Sequence, residues 1–214
     1  MTPDELLTTT RSVRLGLDFE KPVDTGVLRE CVALALQAPN GHNDQLWHWI
    51  VVTDPGKRSE LSGCYAQAAR PVIDDMGRDP AKARLHRASA HLADHMARAP
   101  ALVVVCLQVP PEALAEQFTA LGYRTPVEHL ANSVYYGSVW PAVWSFMLAL
   151  RSRGLASAVT ALHLAAECEA ARILQLPDGV TQCALLAVAH PKDGVFKRGP
   201  RKQAEEVLHW NTWQ

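Results

Sequence analysis

Apolar residues recur along this chain with two periods, and the elements follow from them. Thr2-Pro3-Asp4-Glu5 opens a short helix, with proline in the first turn and acids behind it, ending near Thr8–Thr10. Pro22 breaks the chain. Val27, Leu28, Cys31, Val32, Ala35 and Leu36 then repeat with the helical period behind a cap at Asp24 or Thr25. Residues 49–53 read as a short buried strand ended by Asp54-Pro55-Gly56. Residues 57–69 predict one helix, and 80–98 a second, polar and arginine-rich. The unbroken apolar run over 101–108, closed by Pro110-Pro111, is the pattern of a central strand covered on both faces. Residues 112–130 read as a helix and a loop.

Residues 133–150 are the most apolar stretch and are long enough to span a bilayer. Ser133, Gly137, Ser138, Pro141 and Ser145 interrupt the stretch and there is no second span, which points to burial inside a protein or an oligomer. Tyr135, Trp140, Trp144 and Phe146 on that helix predict a subunit interface. Gly154 ends it. An extended segment (157–163), an amphipathic helix (165–176), a Pro177-Asp178-Gly179 turn and a second buried strand (183–189) follow. The loop 192–202 is basic, with Lys192, Lys197, Arg198, Arg201 and Lys202 against Asp193 alone. Val207, Leu208, Trp210 and Trp213 make a tail too apolar to be left in water, so it is expected to dock on something.

Composition narrows the class. The 214 residues, 48% hydrophobic and 20% charged, suit a single domain over 1–214, or one protomer of an oligomer. A net charge of -1 gives no reason to expect nucleic acid or a membrane surface as partner. Cys31, Cys64, Cys106, Cys168 and Cys183 are dispersed without a Cys-x-x-Cys, as reduced core thiols of a cytoplasmic protein would be. Residues 1–10 carry acids and no apolar core, unlike a secretory signal.

Candidate chemistry is sparse. His91 and His95 share a helix face and His86 precedes them, but the segment reads His-Leu-Ala-Asp-His, without the zincin glutamate or a nearby third ligand; solvent-facing histidines are the alternative to a metal site. There is no Gly-x-Ser-x-Gly, no glycine-rich dinucleotide fingerprint and no Walker loop. Two basic clusters, Arg11/Arg14 and Arg198/Arg201/Lys202, can hold one phosphate from two sides or be separate solvated patches. Between helix and strand lies Ala38-Pro39-Asn40-Gly41-His42-Asn43-Asp44-Gln45, rich in amides, with a glycine that permits either φ > 0 or a close approach. It is an ordinary connection, or a loop that closes on something flat and polar-edged.

Taken in order, Arg11-Ser12-Val13-Arg14, Pro22-Val23 and Ala38-Pro39-Asn40-Gly41-His42-Asn43-Asp44-Gln45-Leu46-Trp47 resemble the FMN-dependent nitroreductase family. Pro141 to Gly154-Leu155 resembles its central helix, Leu176-Pro177-Asp178-Gly179 its next block, and Glu205-Glu206-Val207-Leu208-His209-Trp210 its closing strand and tail. Residues 5–55 and 131–213 match well, and 60–125 loosely. The resemblance implies an α+β fold: a three-layer α/β/α sandwich with a mostly antiparallel sheet, dimeric with an exchanged C-terminal tail. It implies FMN in a cleft between two subunits, with Arg11, Ser12 and Arg14 on the phosphate and ribityl chain. Thr10 stands where many members carry a further arginine. Pro39, Asn40, Gly41 and Asn43 would reach FMN from the other subunit, the backbone at Thr160 and Ala161 would face the ring's N5 edge, and Arg201 and Arg198 would close on the phosphate. Ala156 replaces a usual glycine. The implied activity is ping-pong transfer from NAD(P)H to a small aromatic acceptor, nitroaromatic or quinone-type, with no catalytic side chain named. Dehalogenation, flavin cleavage, enoate reduction or non-catalytic flavin binding are the alternatives.

Overall fold

The computed structural model describes residues 1–124, 126–192 and 196–213; Asp193 of the basic loop falls outside them. Thr2 caps helix α1 (Pro3–Thr9) by accepting from the Glu5 N–H at 3.1 Å. A two-residue strand β1 (Leu17–Asp18) follows. Asp24 caps α2 (Thr25–Ala35), accepting from Gly26 N–H at 2.7 Å. After the amide-rich loop come strand β2 (Trp47–Val52), helix α3 (Pro55–Gly77), α4 (Ala83–His95) and strand β3 (Ala101–Leu107). Helices α5 (Pro111–Ala120) and α6 (Val127–Ser152) lead to β4 (Ala156–Thr160), α7 (Glu167–Leu174) and β5 (Thr181–Pro191).

The described pairings are all antiparallel. Strand β5 is the spine: β3 lies on one side, running from Ala101 opposite Val188 to Leu107 opposite Thr181 with an irregularity between Val105 and Cys106. On its other side β4 and β1 follow one another, with Ala156 opposite Ala189 and Leu17 opposite Pro191. β2 pairs only with β3 and forms an edge. Alternation along β3 separates two cores. Val103, Val105 and Leu107 meet α2 and α6 on one face, while Leu102, Val104 and Cys106 meet α3, α4 and α7 on the other. Helices on both faces of one sheet make three layers.

Several expectations change. The strand predicted at 49–53 is not buried as a whole: Val52 is buried, Trp49 and Ile50 are half-buried and Val51 is exposed, because it is an edge. Helix α3 runs past 69 and through Pro71, whose missing N–H falls on an exposed face, with both Pro71 and Gln67 open to solvent. The 80–98 segment is α4 between two 3-10 turns. The extended stretch stops at Thr160, and Leu162–Ala166 is a 3-10 turn that shortens the following helix to Glu167–Leu174. Tyr135 and Phe146 do not face a partner: both are buried in the core of their own chain, Phe146 against Trp49. Trp140 and Trp144, on the opposite side of α6, remain exposed. The tail forms a 3-10 turn at Ala204–Glu206, and among the described residues no strand follows β5. Trp210 and Trp213 are 76% and 90% exposed in the single chain. No described helix is long and apolar enough to cross a membrane.

His163, in the 3-10 turn after β4, is 1% exposed and neither ring nitrogen has a partner among the described residues. Burial pushes its pKa down from 6.5 to about 4. The unfolded chain therefore binds the proton more readily, so stability is complete above the unfolded value and falls as pH drops toward the folded one. That amounts to about 3 kcal/mol across the window. The urea midpoint should fall between pH 6.5 and 4. A His163→Met variant should show a flatter decline; equal slopes would contradict this.

Candidate functional site

The Arg11–Arg14 segment is bolted onto strand β4. Val13 N–H donates to the Ser157 carbonyl at 2.8 Å, and Ser12 Oγ accepts from Val159 N–H at 3.0 Å. This fixes where the two arginines go. Arg11 lines a cleft of ≈ 700 Å³ together with Thr10, Trp144, Arg198, Arg201 and Lys202. Arg14 is not part of that lining. Its charge acts on Tyr65 of α3, a buried phenol whose pKa burial raises while Arg14 and a hydrogen bond with Thr160 pull it back. Thr160 Oγ1 also accepts from Leu162 N–H at 3.1 Å, so the backbone at Thr160 and Ala161 is held from both sides. The two N-terminal arginines thus serve different ends of one site.

Four cations converge on the cleft: Arg11 from the end of α1, and Arg198, Arg201 and Lys202 from the loop beyond β5. Among the described residues none of them is ion-paired. Arg201 donates to the Pro200 carbonyl at 2.8 Å, which leaves most of its fork free. Thr10 Oγ1 is occupied in donating to the Leu6 carbonyl. Unpaired guanidinium and ammonium groups around one cleft suit a phosphomonoester such as that of FMN, which accepts bidentate bonds.

The amide-rich loop lies elsewhere. Gly41 N–H donates to Ser138 Oγ of α6 at 2.9 Å, and Asn40 Oδ1 accepts from Gln45 N–H at 3.0 Å. A Cβ on Gly41 would stand 3.1 Å from both Ser138 Oγ and Val134 Cγ1, so glycine is there for the close approach. The positive φ values fall instead on His42, Asn43 and Gln45, at 49°, 58° and 52°. Three non-glycine residues held left-handed in so short a stretch store strain. Pro39 and Asn43 are exposed. Asn40 and Gly41 line a separate pocket with Leu46, Val134, Tyr135 and Ser138, and none of the loop's residues is among those lining the cation-lined cleft. One chain therefore does not bring Pro39, Asn40, Gly41 and Asn43 to the cation-lined cleft.

The other candidates recede. His91 and His95 stack on one another at 4.4 Å with Phe19 beyond, while His86 sits against Gly77. They are not solvent-facing as a set, and no three His, Cys, Asp or Glu groups among the described residues converge on a metal position. Burial raises the thiol pKa of Cys31, Cys64, Cys106 and Cys183, the last two to about 12, which leaves them inert at neutral pH. Of the two basic clusters read from the sequence, Arg11, Arg198, Arg201 and Lys202 line one cleft and Arg14 does not. Trp144 was missed as a lining residue, although the aromatic helix contained it. Tyr65 and Ser138 carried no signal; each acts by holding a backbone segment.

Comparison with known proteins bears on this arrangement. Residues 7–190 match the model of the nitroreductase family. A protein described as an NADH dehydrogenase from Thermus thermophilus is 29% identical over 193 residues, covering 88% of this chain and 87% of its own. A BluB-like flavoprotein from Clostridium difficile 630 superposes with a TM-score of 0.77 at 18% identity, over 99% of this chain and 100% of that one. Iodotyrosine deiodinase, solved with FMN and 3-iodo-L-tyrosine, superposes with a TM-score of 0.72 at 20% identity, over 98% of both chains.

Proposed function

This chain belongs to the nitroreductase family, a family of oxidoreductases, and on that premise we propose that it is a cytoplasmic, homodimeric, single-domain FMN flavoprotein that uses NAD(P)H to reduce nitroaromatic or quinone-type acceptors. The observation that carries the reading is the cleft where Arg11 meets Arg198, Arg201 and Lys202. In it Arg11 and Arg201 would hold the FMN phosphate, with Ser12, fixed to Val159, beside the ribityl chain. The backbone of Thr160 and Ala161 offers its polar groups to the N5 edge, braced by Tyr65. Arg14 stands on the ring side of Ser12. When bound, FMN supplies the hydride chemistry, so the protein needs no acid or base of its own.

A second copy completes the site in this reading. Exposed Trp140 and Trp144 on α6, the unpaired edge of β2 and the apolar tail each need a cover. A two-fold partner covers all three and brings its Pro39–Asn43 loop to the flavin. The relatives support a nicotinamide donor through the Thermus protein's description and FMN through the deiodinase structure. Ala156, the one hint of a non-catalytic flavin protein, lies in the core at the start of β4, four residues before Thr160, where its methyl does not meet the ring edge. All five cysteines are free and four are buried, as suits a reducing compartment.

Purified protein should be yellow, and NADPH or NADH should bleach it anaerobically, with colour returning on addition of a nitroaromatic or quinone. A colourless protein that takes up no FMN would remove the proposal. Bleaching without reoxidation by those acceptors would shift it to dehalogenation, enoate reduction or flavin cleavage.

A further inference from the structure

The cation-lined cleft has three walls: α1, α6 and the loop after β5. All three meet at Arg151, a residue outside the cleft lining. Its guanidinium lies 3.7 Å from the centre of the Phe196 ring, two residues before Arg198. Phe196 in turn packs on the core beneath α3 and α4. Arg151 sits seven residues, or two helical turns, beyond Trp144, so both occupy the same side of α6. The field of Glu5 on α1 acts on it as well. Burial lowers its pKa from the ordinary arginine value, and its Nε is enclosed with no hydrogen-bond partner among the described residues. Arg151 is half-buried, and the part of its guanidinium withdrawn from water needs a partner. Here the face of the Phe196 ring supplies it, an arginine-aromatic contact of the cation–π kind.

We propose that Arg151 and Phe196 form a clamp that seats the Arg198–Lys202 segment over the cleft, making both positioning residues for the flavin phosphate. The proposal rests on the FMN reading above. The clamp does not touch the phosphate. It sets where the phosphate's cations stand, because three of the four cations that line the cleft belong to the loop that Phe196 begins.

Riboflavin, which lacks the phosphate, separates this role from a general structural one. Apo-protein is titrated with FMN and with riboflavin by flavin fluorescence, using wild type, Arg151→Ala, Arg151→Lys, Phe196→Ala and the double variant. Either alanine variant should weaken FMN by roughly tenfold and leave riboflavin unchanged. The double variant should be no worse than the singles, and Arg151→Lys should recover part of the loss because a cation remains over the ring. Equal weakening of both flavins would overturn the clamp and make Arg151 a structural residue. Unchanged FMN affinity in both alanine variants would also overturn it. Should Arg151→Ala fail to fold, Phe196→Ala decides alone, since its ring belongs to the loop. Wild-type protein that binds neither flavin would overturn the FMN reading and the clamp with it. Wild type that binds FMN while the variants show no discrimination overturns the clamp alone.

Discussion

Arg11→Ala should cost the protein its FMN, weakening retention by about tenfold to hundredfold, the range expected for one charge-assisted contact. Arg11 is the only N-terminal cation that lines the cleft, and Ser12 behind it is pinned to Val159, so no neighbouring side chain can swing in to replace it. Arg201→Ala should have a similar effect from the opposite wall. Lysine at either place should restore the charge without the bidentate geometry and recover only part of the affinity. Because the four cations are reached by solvent, raising the ionic strength should weaken wild-type binding and narrow the gap between it and Arg11→Ala. Arg14→Ala should behave differently. Its charge acts toward Tyr65 and Thr160, on the ring side, so it should weaken FMN and riboflavin alike. Equilibrium dialysis with each flavin reads all of these, and an Arg11→Ala protein that holds FMN as tightly as wild type would contradict the assignment of the phosphate end.

The second large effect is on assembly. In the proposed homodimer, Trp140→Glu should raise the dissociation constant by about a hundredfold or more, because a half-exposed tryptophan is the kind of residue on which an interface depends and a carboxylate there would be buried without a partner. Trp140 is 38% exposed and takes no part in the cation-lined cleft, so the substitution leaves the phosphate contacts of each chain intact. FMN should nevertheless be lost in proportion to the monomer formed, because the partner's loop leaves with the partner. Sedimentation velocity with parallel detection at protein and flavin wavelengths measures both. A variant that remains dimeric, or a monomer that keeps its flavin, would contradict the two-chain site.

The capped helices and the fully buried β3 were legible because each rests on a local rule: Asp24 accepting a helix N–H, Pro3 in a first turn, an apolar run closed by prolines. Other features have no local signature. Two residues are too few for β1 to show a period. Pro71 reads as a breaker in any sequence, and only its exposed position in α3 makes it harmless. Helix α6 is apolar on nearly every side, so its pattern could not tell that Tyr135 and Phe146 serve their own core while Trp140 and Trp144 face outward. At the site, the meeting of Arg11 with the late basic loop was anticipated. The division of labour between Arg11 and Arg14 was not, because it follows from the register of Ser12 on β4, a contact 147 residues apart in sequence. The place of the amide-rich loop was ambiguous for a further reason. Its anchor is Ser138, outside the lining of the cation-lined cleft, and its proposed ligand belongs to another chain.

That last claim is central, and a mixed dimer tests it most directly. Arg11→Ala removes the phosphate contact of a chain's own flavin, whereas Asn43→Ala removes the loop contact to its partner's. Each homodimer is defective at both sites. A heterodimer isolated with two different tags carries one intact site and one doubly altered site, and by its two-fold arrangement should hold FMN at about half the wild-type stoichiometry. A heterodimer that retains no more FMN than either homodimer would contradict the account, because it would place both contacts on the same flavin within a single chain.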